Sequence, residues 1–180
     1  MATDLKPYTD FLRSLGTEDV PHSGEGFFAH LVAVYRDLKK WGCDEPVCLS
    51  GLFHSIYGTE IFRNFCLPLD RRDDVRKLIG EHAEKIAYVN CVMDRETFDN
   101  VVENGGPLRI KVRDTDEWVE MTEQEFLDLR TMHICDWLEQ VARTEKWDYR
   151  RDGYRRIAEQ LGGIAQESYD RVFAGEPAAS

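Results

Sequence analysis

The sequence predicts an all-α fold, a helical bundle with one small inserted β-hairpin. Two observations favour this class. Apolar residues recur at helical spacing along most of the chain, and glycines and prolines divide that pattern into segments of helix length. One segment, Leu108–Val112, instead alternates apolar and polar residues as a strand does. Residues 1–180 are expected to form a single domain, because this length suffices to bury a core without disulfides or metals.

The first half of the chain divides into four predicted helices. Glycine follows three of them, which is typical of a helix C-terminus. Pro46 suits the first turn of the third helix, and Asp70 begins the fourth. The predicted spans are about 4–15, 23–41, 46–57 and 70–89.

The second half contains the hairpin and two long helices. Asp94 is a predicted N-cap that opens a short helix, and the strands are Leu108–Val112 and Trp118–Glu120. A capping box at Thr122–Glu125 opens a helix that runs to about residue 143. The last helix is predicted over about 149–173, followed by a flexible tail at 174–180.

Composition excludes several classes of function. A net charge of -11 argues against a nucleic-acid backbone or an anionic membrane as the main partner. The chain contains no apolar stretch near the roughly 20 residues that span a bilayer, and its N-terminus lacks a signal-peptide pattern. The five cysteines show no CxxC spacing, which favours reduced, mostly buried thiols in a cytoplasmic protein.

Two histidines lie on consecutive predicted helices at positions that favour the interior. His30 shares its helix face with Phe27 and Val34. His54 shares its face with Gly51, and such small neighbours leave room for a ligand or a water. Each histidine also has a simpler explanation. His30 would be a core histidine with one hydrogen bond, and His54 would interact with a helix C-terminus.

Asp136 is the third candidate ligand. It shares a helix face with Leu129 and Met132, so it is expected to be desolvated. A buried carboxylate needs a charged partner or a metal. A salt bridge to an arginine is the alternative. Together with His30 and His54 it makes a set of two imidazoles and one carboxylate, which suits a divalent Mn, Fe or Zn ion with open positions.

Three stretches resemble the HD-domain superfamily, and specifically the hydrolase domain of the RelA/SpoT-type alarmone enzymes. They are Ser23-Gly24-Glu25-Gly26-Phe27-Phe28-Ala29-His30, Leu52-Phe53-His54-Ser55 and His133-Ile134-Cys135-Asp136-Trp137-Leu138. The segment His-Ser-Ile-Tyr-Gly-Thr, from His54 to Thr59, also resembles an uncharacterised HD-like family. The resemblance covers about residues 20–142. It implies an HD-like bundle with a metal on His30, His54 and Asp136.

The sequence departs from the family at two places. Ser55 stands where the superfamily has the aspartate of its His-Asp pair, a further metal ligand. Gly58 and Thr59 occupy the region where alarmone hydrolases carry a Glu-Asp pair, and Glu60 is displaced. The remaining ligand set is therefore two histidines and one carboxylate.

Seven further residues are predicted to contribute to the site. Ser55, Tyr57 and Glu60 are the catalytic candidates, with Ser55 orienting a water and Glu60 acting as a general base. Glu60 could equally be a surface carboxylate.

The substrate-binding candidates are His22, Arg72, Arg76 and Tyr88. Arg72 and Arg76 lie one helical turn apart and could hold a phosphate or carboxylate. Alternatively, both arginines pair with the neighbouring aspartates of the Asp70–Asp74 run.

The leading expectation for function is a metal-dependent hydrolase of a small phosphorylated or nucleotide-like molecule, which makes a small anion the expected partner. One alternative is an HD-like Fe(II) oxygenase or another non-phosphatase enzyme. A second is a metal-free ligand-binding or regulatory protein. Metal analysis separates the last from the others, and oxygen consumption with iron separates the oxygenase from the hydrolase.

Overall fold

The protein is an all-α bundle with a small β-hairpin, as the sequence predicts. The computed structural model describes residues 4–178, apart from the side chain of Glu25. Within those residues the helices are α1 (Lys6–Ser14), α2 (Phe27–Lys40), α3 (Glu45–Phe53), α4 (Arg72–Ile79), α5 (Glu81–Val92), α6 (Arg95–Asn104), α7 (Glu123–Thr144), α8 (Arg151–Leu161) and α9 (Gly163–Phe173). The strands are β1 (Pro21–His22), β2 (Glu25–Gly26), β3 (Arg109–Lys111) and β4 (Trp118–Glu120), and 3-10 turns span Thr17–Asp19 and Leu69–Arg71.

The predicted hairpin and both predicted caps are confirmed. β3 and β4 pair antiparallel between α6 and α7, with Ile110 opposite Val119. The carboxylate of Asp94 accepts a 2.8 Å hydrogen bond from the backbone N–H of Thr97 at the start of α6. The capping box at Thr122–Glu125 is complete, which satisfies backbone donors at the start of α7.

Two long helices predicted from the sequence are each broken by a glycine. The predicted helix over 70–89 is instead α4 and α5, separated at Gly80, whose φ is 88°. The predicted last helix is α8 and α9, separated at Gly162 with φ 63°. Glycine adopts these left-handed dihedrals without the steric cost that other residues meet. Both boundary predictions were therefore wrong.

The two helices that carry the histidines also begin or end elsewhere than predicted. Residues 21–26 form the short β1–β2 ribbon, so α2 begins at Phe27 and not at Ser23. The third helix ends at Phe53, and His54 is its C-cap. The chain then makes a turn through Gly58, whose φ is 75°.

The centre of the core is α3. Every residue from Val47 to Phe53 is buried, because α2 and α5 pack on it and α7 contacts it as well. His30 on α2, His54 at the end of α3 and Asp136 on α7 therefore lie on elements that pack against one another.

The predicted flexible tail begins with an anchored residue. The carboxylate of Glu176 pairs with the guanidinium of Arg151 on α8, and one of the hydrogen bonds is 2.9 Å long. Ala179 and Ser180 lie outside the described residues.

Two further expectations from the sequence concern membrane-spanning segments and the state of the cysteines. No helix within residues 4–178 is both long enough and apolar enough to cross a lipid bilayer. All five cysteines are free, and three of them are buried, whereas Cys66 is exposed.

Replacement of Gly51 by alanine is expected to destabilise the protein. A Cβ atom there would overlap Cδ1 of Leu38 on α2 and lie 3.1 Å from Cγ1 of Val34. Overpacking of this kind costs about 1–3 kcal/mol, which chemical denaturation would measure. Leu38→Ala removes the overlapping atoms. The double variant should therefore lose about 1 kcal/mol less than the sum of the two single losses. Strict additivity would contradict the close approach of α2 and α3.

Candidate metal centre

Three ligand atoms from three helical elements converge in the interior. Nε2 of His30 lies 3.1 Å from Nε2 of His54 and 3.1 Å from Oδ1 of Asp136. The remaining separation, between Nε2 of His54 and Oδ1 of Asp136, is 3.2 Å. Both histidines are fully buried, and Asp136 is buried as well. The structure thus brings together the three residues that the sequence selects as metal ligands.

The spacing of these atoms matches that of ligands around one metal ion. Bonds of about 2.1 Å put neighbouring ligands about 3.0 Å apart in octahedral geometry and about 3.4 Å apart in tetrahedral geometry. The observed separations of 3.1–3.2 Å fall within this range. Many Fe, Mn and Zn sites use this donor set, in which two imidazoles and one carboxylate occupy one triangular face around the metal.

Hydrogen bonds behind the histidines fix their orientation. Nδ1 of His54 lies 2.7 Å from the carbonyl oxygen of Gly51, and Nδ1 of His30 lies 2.5 Å from Oε2 of Glu139. Two hydrogen bonds of 2.8 Å from the guanidinium of Arg143 hold the carboxylate of Glu139 in turn. Contacts of this type turn the other ring nitrogen, Nε2, toward a metal and raise its basicity.

The hydrogen-bond directions leave lone pairs pointing at one another. The carbonyl of Gly51 can only accept, so Nδ1 of His54 carries the hydrogen and Nε2 of the neutral ring does not. If Nδ1 of His30 likewise donates to Glu139, its Nε2 is also a bare acceptor. Three acceptors about 3 Å apart, away from water, require a shared proton or a cation.

This arrangement shifts the pKa values of His30 and Asp136. Burial disfavours a charged imidazole, but hydrogen bonds with Asp136 and Glu139 outweigh it and raise the pKa of His30 to about 9. Burial also disfavours a charged carboxylate at Asp136. Interactions with His54 and His30 overcome that effect and hold the pKa of Asp136 well below its usual range. Asp136 is therefore an anion, and His30 holds a proton when no cation takes its place.

One member of the triad opens onto a cavity of about 710 Å³. Asp136 forms part of its wall, together with His22 and Ser55. The lining residues are Pro21, His22, Ser23, Gly24, Ser55, Thr59, Ile61, Phe62, Asn64, Arg95, Asp136, Trp137, Gln140, Arg143, Thr144 and Lys146. This volume suits a small molecule, and both polar and cationic side chains reach it.

The structure brings two of the other predicted site residues to this cavity. Ser55 is buried directly after the ligand His54. His22 stacks on the ring of His30, with ring centroids 4.3 Å apart. Burial, reinforced by the neighbouring His30, lowers the pKa of His22 to about 4, so this ring is neutral at pH 7. Its buried Nδ1 has no hydrogen-bond partner among the described residues.

Three predicted site residues form a separate cluster around the buried carboxylate of Glu84. Arg72 makes hydrogen bonds of 2.7 and 2.9 Å to Glu84, and its guanidinium lies 3.4 Å from the ring centroid of Tyr88. The hydroxyl of Tyr57 donates to the same carboxylate at 3.0 Å. These three side chains stabilise the packing between α4, α5 and the end of α3, and they do not line the cavity.

The last two predicted site residues also have charged partners. Arg76 donates to Asp73 at 2.6 Å and lies 3.6 Å from Glu84, so it belongs to the same cluster as Arg72. The sequence left open the alternative that both arginines pair with the aspartates of the Asp70–Asp74 run. That alternative holds for Arg76, whereas Arg72 pairs with Glu84 instead. Glu60 is exposed, and its Oε2 lies 3.3 Å from Nε of Arg95.

Sequence reasoning missed Glu139 and Arg95. Glu139 lies three residues after Asp136 on α7, so helical spacing could have placed it beside the triad. Arg95 is the first residue of α6, where the helical pattern has not yet begun to indicate which side chains face inward.

A buried chain of hydrogen bonds connects the triad to Arg95. The carbonyl oxygen of His54 accepts from Asn90 at 2.8 Å, and Asn90 Oδ1 accepts from Nδ1 of His133 at 2.9 Å. Nε2 of His133 then faces the guanidinium groups of Arg95, at 3.3 Å, and Arg150, at 3.0 Å. Burial and the two arginines hold the pKa of His133 well below its usual value, so it is a neutral acceptor.

Comparison with known proteins yields one match. A family model described as a domain of unknown function (DUF6817) matches residues 11–95, which are 85 of the 180 residues. The matched segment includes His30, His54 and, as its last residue, Arg95, but not Asp136. No curated protein and no solved structure matches the chain.

Asp136→Asn is expected to weaken the binding of a divalent ion by about 100-fold or more, because it replaces the anionic ligand with a neutral amide. Isothermal titration with Mn(II) or Zn(II) measures the effect, and the wild type should bind one ion per chain. Asp128→Asn is a matched control. Asp128 also lies on α7 and pairs with a histidine, His82, at 2.7 Å, but outside the triad. Equal losses in both variants would contradict a site at Asp136.

Proposed function

We propose that the protein is a metal-dependent hydrolase of a small phosphorylated or nucleotide-like molecule. The observation that carries the proposal is the position of the triad. Asp136, which His30 and His54 contact from the interior, lies at the wall of a cavity that is also lined by Arg95, by Lys146 and by Arg143, which pairs with Glu139. In a chain with a net charge of -11, a cavity that combines metal ligands and cationic side chains favours an anionic substrate.

The three ligands would hold the ion, and the protein supports them from behind. Glu139 holds His30, and the carbonyl of Gly51 holds His54. A divalent ion bound there supplies a Lewis acid, which lowers the pKa of a bound water toward neutrality. Because the ligands are buried and their rings are fixed, the site would need little reorganisation during the reaction.

Two side chains of the cavity wall would act on the substrate and the water. Ser55 has a hydroxyl that can both donate and accept, so it can orient a water beside the triad. His22 is neutral at pH 7 and lines the same cavity, so it can exchange a hydrogen bond with the substrate without adding charge. Phe62 lines the same cavity and packs its ring against His22, at 4.5 Å between centroids.

An Fe(II) oxygenase is the second candidate, and the geometry of the triad favours it specifically. Two histidines and one carboxylate on one face of an octahedron are the usual ligands of non-haem iron oxygenases. The separations of 3.1–3.2 Å are compatible with octahedral coordination. The cationic side chains of the cavity do not discriminate, because an oxygenase substrate can also be an anion.

Hydrolysis is tested by phosphate release from a panel of phosphate esters and nucleotides, using protein purified without chelator and analysed for its metal. Activity should require the ion, disappear with a chelator and return on adding metal. Asp136→Asn should lower kcat/KM by about 100-fold or more, while Asp128→Asn leaves it unchanged. Iron content with substrate-dependent oxygen consumption and no phosphate release would support the oxygenase instead.

Ser55→Asp is expected to tighten Mn(II) binding by about tenfold, because it adds an anionic oxygen ligand next to His54. Ser55→Asn is the matched control, since asparagine has the same shape without the charge. Titration of both variants with Mn(II) compares them directly. If neither variant differs from the wild type, the side chain at position 55 does not reach the ion.

A further inference from the structure

Arg95 is a buried cation at the wall of the cavity beside the triad. It is 7% exposed and lines the same cavity as Asp136 and Ser55. Burial of a guanidinium is costly unless its N–H groups find acceptors and its charge finds a partner. One of its terminal nitrogens, Nη1, faces Nε2 of His133 at 3.3 Å. Its Nε is buried and has no hydrogen-bond partner within the described part of the chain.

The charged partner of Arg95 is Glu60, which makes no hydrogen bond with its Nε. Oε2 of Glu60 lies 3.3 Å from Nε, which is close enough for attraction, but it is not aligned with the N–H bond for a hydrogen bond. The Glu60 side chain is 39% exposed, whereas that of Arg95 is 9% exposed. The cation is therefore fixed in the protein, and its anion lies at the surface on the segment that follows Gly58.

His133 cannot take the place of that anion. It is fully buried and neutral, and it offers Nε2 as an acceptor to Arg95 and Arg150 together. Arg150 differs from Arg95 because the carboxylate of Asp99 pairs with it through two nitrogens, with one bond of 2.8 Å. Of these two arginines, Arg95 is the one with a buried nitrogen that lacks a hydrogen-bond partner among the described residues.

The charges on either side of Arg95 favour one direction of approach. Arg95 also lines a second cavity, whose wall has two arginines, Arg95 and Arg150, against four carboxylates, those of Glu60, Glu96, Asp99 and Glu103. These carboxylates repel an anion. The cavity beside the triad has three cationic side chains, Arg95, Arg143 and Lys146, against one carboxylate, that of Asp136. An anion is therefore expected to reach Arg95 from the side of the triad.

We propose that Arg95 is a docking group for a phosphate-like anion, and that Glu60 is the counter-ion that this anion displaces. The assignment deepens the proposed function, on which the identity of the anion as part of a substrate rests. Anion binding to Arg95 itself does not require a metal. Glu60 thereby acts as a competitor for the substrate site, and not as the general base expected from the sequence.

Titration of the metal-free protein with inorganic phosphate, in the presence of a chelator, tests the assignment. Glu60→Gln removes the competing charge and should tighten phosphate binding by about tenfold. Arg95→Gln should weaken it by at least about tenfold, and Arg95→Lys, which keeps the charge but loses the planar fork, should fall between. Glu60→Gln changes an exposed side chain, so it remains informative even if the substitutions at Arg95 impair folding.

Arg150→Gln is the matched control, because it removes the other guanidinium that faces His133 and should leave phosphate affinity unchanged. An unchanged or weakened affinity in Glu60→Gln would overturn the assignment, as would equal losses in Arg95→Gln and Arg150→Gln.

The same measurements, together with an assay of hydrolase activity, distinguish a failure of the anion site from a failure of the proposed function. Tighter phosphate binding in Glu60→Gln and weaker binding in Arg95→Gln, without any hydrolase activity, would support the anion site alone. Hydrolase activity with the same KM in Glu60→Gln and Arg95→Gln would reject the anion site.

Discussion

Three hydrogen-bond acceptors meet at one buried point, and much of the central structure is arranged to keep them there. Without a proton or a cation between them, His30, His54 and Asp136 would repel one another in a largely buried region. The helix α3 shows the constraint most directly. Gly51 lets α3 approach α2, and its carbonyl also fixes the ring of His54. A single glycine thus serves both the packing and the site.

The triad was predictable from the sequence because the face that a helical residue occupies depends only on residues a few positions away. Each ligand shares its helix face with apolar residues, so each was expected to point inward, and residues that point inward on packed helices lie close together. The same rule would have found Glu139, one turn beyond Asp136. Whether the chain belongs with the HD-domain superfamily stays a prediction from the motifs around His30 and His54.

Arg72 lies away from the cavity because of a helix boundary that the sequence did not predict. If residues 70–89 formed one helix, Arg72 and Glu84 would be about 18 Å apart along its axis. The break at Gly80 folds α4 back on α5 and brings the two side chains within 2.7 Å. A glycine between two helical patterns can either be tolerated or end the helix, and tertiary packing decides which. Arg95 was missed because its partners, His133 and Glu60, are distant in sequence.

The serine at position 55 changes the charge of the site, and this has a consequence for the ligand. Two neutral imidazoles and the Asp136 carboxylate carry a charge of about −1, so a bound divalent ion leaves the centre at about +1. An aspartate at position 55 would cancel that charge. Glu139 and Arg143 already neutralise each other behind His30. With Ser55 in place, the loaded centre and Arg95 present two positive charges to the same cavity. That balance would be complementary to a phosphate dianion, so serine at position 55 is compatible with the anionic substrate that we propose.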